Sequence, residues 1–258
     1  YAPGDDPRRV DWKASARRDT AVVREYQAEQ GQTVLLLVDA GRLMTQLVDA
    51  APPADGRPGR SRFDAALDSA LVLADVAARA GDRVGLLVFD DAVRAWVAPA
   101  AGAAAVARVR EALIPVQPVL LESDYAGAFR VLAERHRRRS LVVVFTDVID
   151  ARASRALVAH VARGAARHLP LVVAMRDAAL DAAARGTPGD VPNASLAGTS
   201  GGTLAVYARA AAEELLLARE EALARMRGAG VSVLDVRADA MTAALVNRYL
   251  ELKGRGAL

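Results

Sequence analysis

Two stretches of the chain are apolar at every position instead of at alternate ones. TVLLLVD (33–39) runs through five apolar residues and stops at Asp39, with Gly41 two positions on; LVVVFTD (141–147) repeats the pattern and stops at Thr146 and Asp147. Short runs without alternation read as strands buried on both faces, the kind that make parallel sheets covered by helices on either side. Open α/β sheets hold their sites at the carboxyl ends of such strands, so Asp39 and Asp147 are expected at one edge.

The remaining pattern fills in around these two strands. Asp6 as N-cap with Pro7 behind it predicts a short helix to about Arg18, and TAVVREY (20–26) an edge strand or extended lead-in. APPADGRPG (51–59) reads as a surface loop. Ser61 then caps a helix over 61–80 with Phe63, Leu67, Ala70, Leu71 and Ala74 on one face. VGLLVF (84–89), a turn at Asp90 and Asp91, and VRAWV (93–97) predict an antiparallel hairpin whose second strand is an edge. Helices follow over 103–113, from Ser123 or Asp124 to about 139, and over 154–168; Pro170 opens a strand at 171–175. The stretch 187–203 has no period and little bulk and is expected to be a mobile insertion. A helix over 207–227, a strand at 231–236 and a helix over 240–253 close the pattern.

Strands alternating with helices at this spacing imply a doubly wound, mostly parallel α/β sheet with helices on both faces and one antiparallel edge strand. The expected organisation is a lead-in over 1–31 and one large domain over 32–258.

Composition narrows the function classes. Of 258 residues 53% are hydrophobic but only 4% aromatic, so the core is built from Ala, Val and Leu. Lys+Arg 34 against Asp+Glu 31 gives a net charge of +3, a weak surplus that does not point to nucleic acid. Cysteine is absent, which removes disulfides, thiol catalysis and thiolate metal sites. No run reaches the roughly 18 apolar residues of a spanning helix, and the stretch is expected to be soluble. No GxxxxGK[ST] loop or GxSxG elbow occurs, so neither an ATPase nor a serine hydrolase is indicated. His136, His160 and His168 fall on predicted helices at spacings that form no chelating pair, and Asp90 and Asp91 suit a turn. RHRRRS (135–140) is read as a solvated helix end in preference to a phosphate patch.

The opening carries a longer pattern: Tyr1, Gly4, Asp5, Asp6, Arg8, Asp11, Trp12, Ser15, Ala16 and Arg17, then Arg24, Glu25 and Glu29, then Asp39 and Met44. Capping and internal ion pairs explain its charges without a partner, and Trp12 reads as a packing anchor. With DRVGLLVF (82–89), the Asp124 helix start and FTD (145–147), the pattern resembles domain-of-unknown-function family 58 over nearly the whole chain. The resemblance implies a von Willebrand factor A-like, Rossmann-like fold. It also implies a bacterial adaptor or scaffold that works beside a MoxR-type AAA ATPase, with other protein subunits as further partners. The chain starts at Tyr1, inside the motif, and typical members place two transmembrane helices before it. The parent is therefore expected at the cytoplasmic face of the membrane, attached only through that preceding segment.

A von Willebrand factor A metal site coordinates Mg²⁺ or Mn²⁺ with an Asp-x-Ser-x-Ser loop, a Thr and a second Asp. Here Gly41 and Leu43 stand at the two Ser positions, leaving Asp39, Asp147 and a hydroxyl from Ser123, with Asp124 an equal candidate. Arg42 can neutralise the same charge without metal. The favoured expectation is a degenerate, metal-free site: Asp39 accepts from loop amides and Asp147 caps the next turn. Asp39, Gly41, Ser123, Asp124, Thr146 and Asp147 would line the binding edge of a non-enzymatic interaction domain. The alternatives are a Mg- or Mn-dependent ligand-binding module and, behind it, a metal-dependent hydrolase on Asp39 and Asp147.

Overall fold

A computed structural model describes residue 15 and residues 31–48, 59–148, 154–186 and 200–256, without the side chains of 200–204. The chain divides into two compact units, Tyr1–Gly31 and Gln32–Leu258, and the second is described here. The expected opening helix, the 20–26 strand, most of the 51–59 loop, most of the 187–203 insertion and every motif residue before Asp39 except Ser15 lie outside the described residues.

Six strands form one sheet: β1 (Thr33–Asp39), β2 (Arg83–Phe89), β3 (Val93–Ala101), β4 (Leu141–Phe145), β5 (Leu169–Arg176) and β6 (Ser232–Arg237). Their order is β3-β2-β1-β4-β5-β6, parallel throughout except for the β2–β3 hairpin. The chain steps outward from β1 in one direction and from β4 in the other. The crevice between their carboxyl ends is therefore the topological switch point, where such sheets bind.

Burial follows the two-residue period of a strand. Val34, Leu36 and Val38 face a core shared with α1 (Arg62–Arg79), α2 (Ala103–Leu113) and α7 (Ala238–Gly254). Leu35 and Leu37 face the opposite core, with α3 (Tyr125–Arg135), α4 (Arg155–Ala165) and α6 (Ser200–Gly228). All five are fully buried, each worth about 1.5–3 kcal/mol relative to exposure. That is why β1 shows no polar alternation.

The helices begin where capping chemistry starts them. Ser61 and Asp64 form a reciprocal capping box at α1. The buried face of α1 is Phe63, Ala66, Ala70, Leu73, Ala74 and Ala77, while the expected Leu67 and Leu71 pack only at its border. Small residues let the helix lie close on the sheet, and the leucines seal its side.

Several boundaries differ from expectation. β3 continues through Pro99 to Ala101, which an edge strand tolerates because its outward N–H groups need no partner. α3 stops at Arg135, so residues 137–139 link it to β4 and only Arg135 of the basic run sits in the last helical turn. α4 stops at Ala165, which leaves His168 in the following turn instead of on a helix with His160. The rings of His136 and His168 stack at 6.1 Å, a pairing that sequence spacing hides. α5 (Ala178–Arg185) was not expected: Asp177 caps it through Ala179 N (2.9 Å) and Leu180 N (3.2 Å), and Gly186 ends it at φ 68°. α6 starts seven residues earlier than the pattern indicates, at Ser200 in place of 207.

At the amino-terminal end of the sheet, α7 is latched to the α1–β2 turn. Tyr249 Oη donates to Asp82 Oδ2 (2.5 Å), and Lys253 Nζ donates to Asp82 Oδ1 (2.8 Å) and the Ala80 carbonyl (2.7 Å). Asp82 is fully buried, and Asp82→Ala strands both partners. It should lower stability by about 3–5 kcal/mol, read as a lower urea midpoint with unchanged slope.

Candidate functional site

β1 and β4 pair in parallel, which carries Asp39 and the Thr146–Asp147 dipeptide to the same edge. The residues expected to line that edge separate there into two clusters.

The first is built on Asp39, which is fully buried. Its Oδ1 accepts from Gly41 N (2.8 Å) and Ser123 Oγ (2.5 Å). Its Oδ2 accepts from Thr146 Oγ1 (2.7 Å) and Tyr125 Oη (3.0 Å). Four donors meet the roughly four acceptor positions of a carboxylate. Burial pushes the Asp39 carboxyl above its ordinary range, opposed by the bonds from Ser123, Thr146, Gly41 and Tyr125. Burial, then the nearby Asp39 charge, raises the Tyr125 phenol well above the range of a free tyrosine, so it stays a donor.

Gly41 is required for space, since its φ of −83° suits any residue. A Cβ there would collide with Ser123 Oγ and lie 2.9 Å from the Leu121 carbonyl oxygen. The loop before α3 is drawn against β1 by Val119 N to Ala40 O (2.8 Å) and Arg42 N to Leu121 O (2.8 Å), which brings Ser123 within reach. Leu120 and Leu121 ride on this loop, 77% and 46% exposed.

The second cluster is built on Asp147. Arg62, at the first position of α1, donates to Asp147 Oδ2, and Arg219, from the middle of α6, donates to Oδ1 (3.1 Å). Val148 N also donates to Oδ1 (2.8 Å). Arg62 reaches on to Asp177 Oδ2 (2.8 Å); Arg219 reaches Asp235 Oδ1 (3.0 Å), the Met175 carbonyl (2.9 Å) and the Val148 carbonyl. Both arginines are more than nine-tenths buried. A cavity of about 320 Å³ opens over this network, walled by Leu180, Leu215 and Leu216.

Three placements differ from the sequence reading. Asp124 turns away from the cleft and caps α3 through Gly127 N (2.9 Å). Arg42 pairs with Glu122 (2.5 Å) at the surface instead of neutralising the strand-end acids. Asp39 accepts one loop amide and three hydroxyls, not amides alone. Arg62, Arg219 and Tyr125 were missed. Arg62 has a signal, a cation directly behind an N-cap, where the helix dipole disfavours positive charge. Tyr125 sits two residues after Ser123, but Arg219 is one of several arginines on α6 and nothing local marks it.

The sheet is doubly wound with an antiparallel strand at one edge, and its fold is von Willebrand factor A-like. The chain belongs to the family described as "Protein of unknown function DUF58", whose model matches residues 1–184. It is similar to "Uncharacterized protein Rv1480" of Mycobacterium tuberculosis, 27% identical over 277 residues, covering 100% of this chain and 78% of that protein. Among solved structures it is similar to the PilB minor pilin of Streptococcus sanguinis, with TM-score 0.54 and 9% identity over 90% of this chain and 62% of that one. It is also similar to the SpRpn10 VWA domain, with TM-score 0.47 and 12% identity over 84% of this chain and 94% of that one.

Two outcomes are expected from this geometry. Gly41→Ala should displace Ser123 and destabilise by about 1–3 kcal/mol, and adding Ser123→Gly should recover part of that loss in a double-mutant cycle. Because the folded-state carboxyl of Asp39 is raised, its contribution is complete below its unfolded pKa and is lost as pH rises through the folded value. Asp39→Asn lacks this titration. Its stability relative to the parent should increase with rising pH above about 4, followed by denaturant midpoints.

Proposed function

We propose that this domain is a non-enzymatic protein-interaction module that meets its partner at the switch-point edge without a metal ion. The partner we assign is a MoxR-type AAA ATPase, served as an adaptor or scaffold at the cytoplasmic face of the cell membrane, as the family resemblance implies. The observation that carries the reading is the state of the two strand-end carboxylates. Asp39 accepts four hydrogen bonds from the protein, and Asp147 accepts from two guanidiniums and an amide.

These residues do not fit a hard divalent cation. Mg²⁺ requires near-octahedral oxygen ligation, but Gly41 and Leu43 offer no side-chain oxygen and Arg62 lies against Asp147. Among the described residues, no group of three or more His, Asp or Glu is arranged to hold a metal. Hydrolysis by a metal-bound water has no support in such a donor set. What the edge offers a partner instead is apolar surface: Leu120 and Leu121, with the Arg42–Glu122 pair beside them. Exposed leucines on a loop held by backbone hydrogen bonds present contact area with little further ordering cost.

Capture of the ATPase on this chain, with nucleotide controlled, tests the reading. Leu120→Asp with Leu121→Asp should abolish retention, and a chelator that leaves the nucleotide state unchanged should not. In parallel, about 5 mM Mg²⁺ or Mn²⁺ should leave the melting temperature unchanged. A site with a Kd a hundredfold lower would add about 2.7 kcal/mol. A rise that Asp39→Ala removes would replace this reading with the metal-dependent ligand-binding module.

A further inference from the structure

A second surface lies away from the switch-point edge. Between α3 and α4 runs a groove of about 500 Å³, lined by Phe129 and Leu132 and by the small residues Ala126, Ala133, Gly164 and Ala166. Arg130 on one side and Arg163 and Arg167 on the other complete it, with His160 and His168; no Asp or Glu lines it. The switch-point cavity is different, because its arginines are interleaved with acids.

The three rim arginines are exposed and, among the described residues, form no ion pair. Other exposed arginines divide between paired ones, such as Arg60 and Arg94, and ones that form no ion pair among the described residues, such as Arg108 and Arg155; what sets the groove apart is that three unpaired arginines share one lining with no carboxylate. His168 also borders the groove but is only 8% exposed, so the arginines supply its accessible cations.

The occupant follows from the lining. A polyphosphate or lipid headgroup has no use for the recessed apolar floor. Single-stranded nucleic acid needs an open aromatic face, whereas Phe129 is 9% exposed and covered by the His160 ring at 6.0 Å. A helix with one apolar stripe flanked by carboxylates matches both features, in the helix-in-groove mode. We propose that the α3–α4 groove docks an acidic amphipathic helix of a partner protein, with its apolar stripe over the exposed small residues Ala126, Ala133 and Ala166 and its carboxylates against Arg130, Arg163 and Arg167. The site is independent of the switch-point edge and stands or falls separately.

The test is fluorescence anisotropy of the 258-residue chain with an 18-residue peptide carrying Leu at helical spacing and Glu on both flanks. A peptide of the same composition with the leucines scattered is the control, and phosphatidylglycerol vesicles and a single-stranded oligonucleotide are competitors. Saturable binding of the patterned peptide is expected, weakened at least about tenfold by Arg163→Glu with Arg167→Glu and, separately, by Ala133→Leu, which fills the groove without changing charge. Unchanged melting temperatures would show that both variants fold. Equal binding of the scattered peptide, indifference to Ala133→Leu, or stronger binding of vesicles or oligonucleotide would overturn the proposal in favour of a general polyanion surface. No binding of the patterned peptide would overturn it outright.

Discussion

A carboxylate at the end of a doubly buried strand must be satisfied by its own protein, because moving it out of water costs several kcal/mol that only close partners offset. This chain has two of them side by side, Asp39 after β1 and Asp147 after β4, and it satisfies them in unlike ways. Asp39 is surrounded by neutral donors from the loop after β1, the start of α3 and the end of β4. Asp147 is met by full positive charges brought from α1 and α6. Those helices lie on opposite faces of the sheet, so Asp147 joins the two layers at the sheet's end. Through Asp177 and Asp235 the same arginines also tie in the ends of β5 and β6. Most of the carboxyl edge is thus fixed by two guanidiniums.

On the proposed reading such an edge serves display and not chemistry. Its charges are internally balanced, its hydroxyls already donate to Asp39, and the groups left facing outward are leucines on a tethered loop. Preorganised contact surface of this kind loses little freedom when a partner arrives, which favours recognition of a shape over capture of an ion. The α3–α4 groove is the opposite case, a place where cations are left unbalanced.

The sheet was legible because uninterrupted apolar runs such as 34–38 and 141–145 leave few alternatives, and the Asp-Asp turn marked the antiparallel β2–β3 pair. Helix starts with a capping residue were also legible, at Ser61 and Asp124. α5 escaped because eight residues give too little period, although Asp177 and Gly186 bracket it. Of the candidate site, the strand-end residues could be named, since strand direction determines where they emerge. The arginine partners of Asp147 could not. Arg62 and Arg219 are 157 positions apart, and only the folded layers bring them to one carboxylate; Asp124 looked equivalent to Ser123 until the helix register turned one inward and the other onto its own backbone.

The contact between Gly41 and Ser123 bears on how sequences of this kind can drift. A side chain at 41 and a hydroxyl from 123 compete for the same space beside Asp39, so a side chain at 41 is acceptable only where that hydroxyl is absent. A lineage that carries Gly41 with Ser123 cannot acquire a hydroxyl at 41 by one substitution without first losing a bond that holds a buried carboxylate. A side chain at 41 is expected to follow loss of the Ser123 hydroxyl. Among relatives of this chain, the residue at one should therefore forecast the residue at the other.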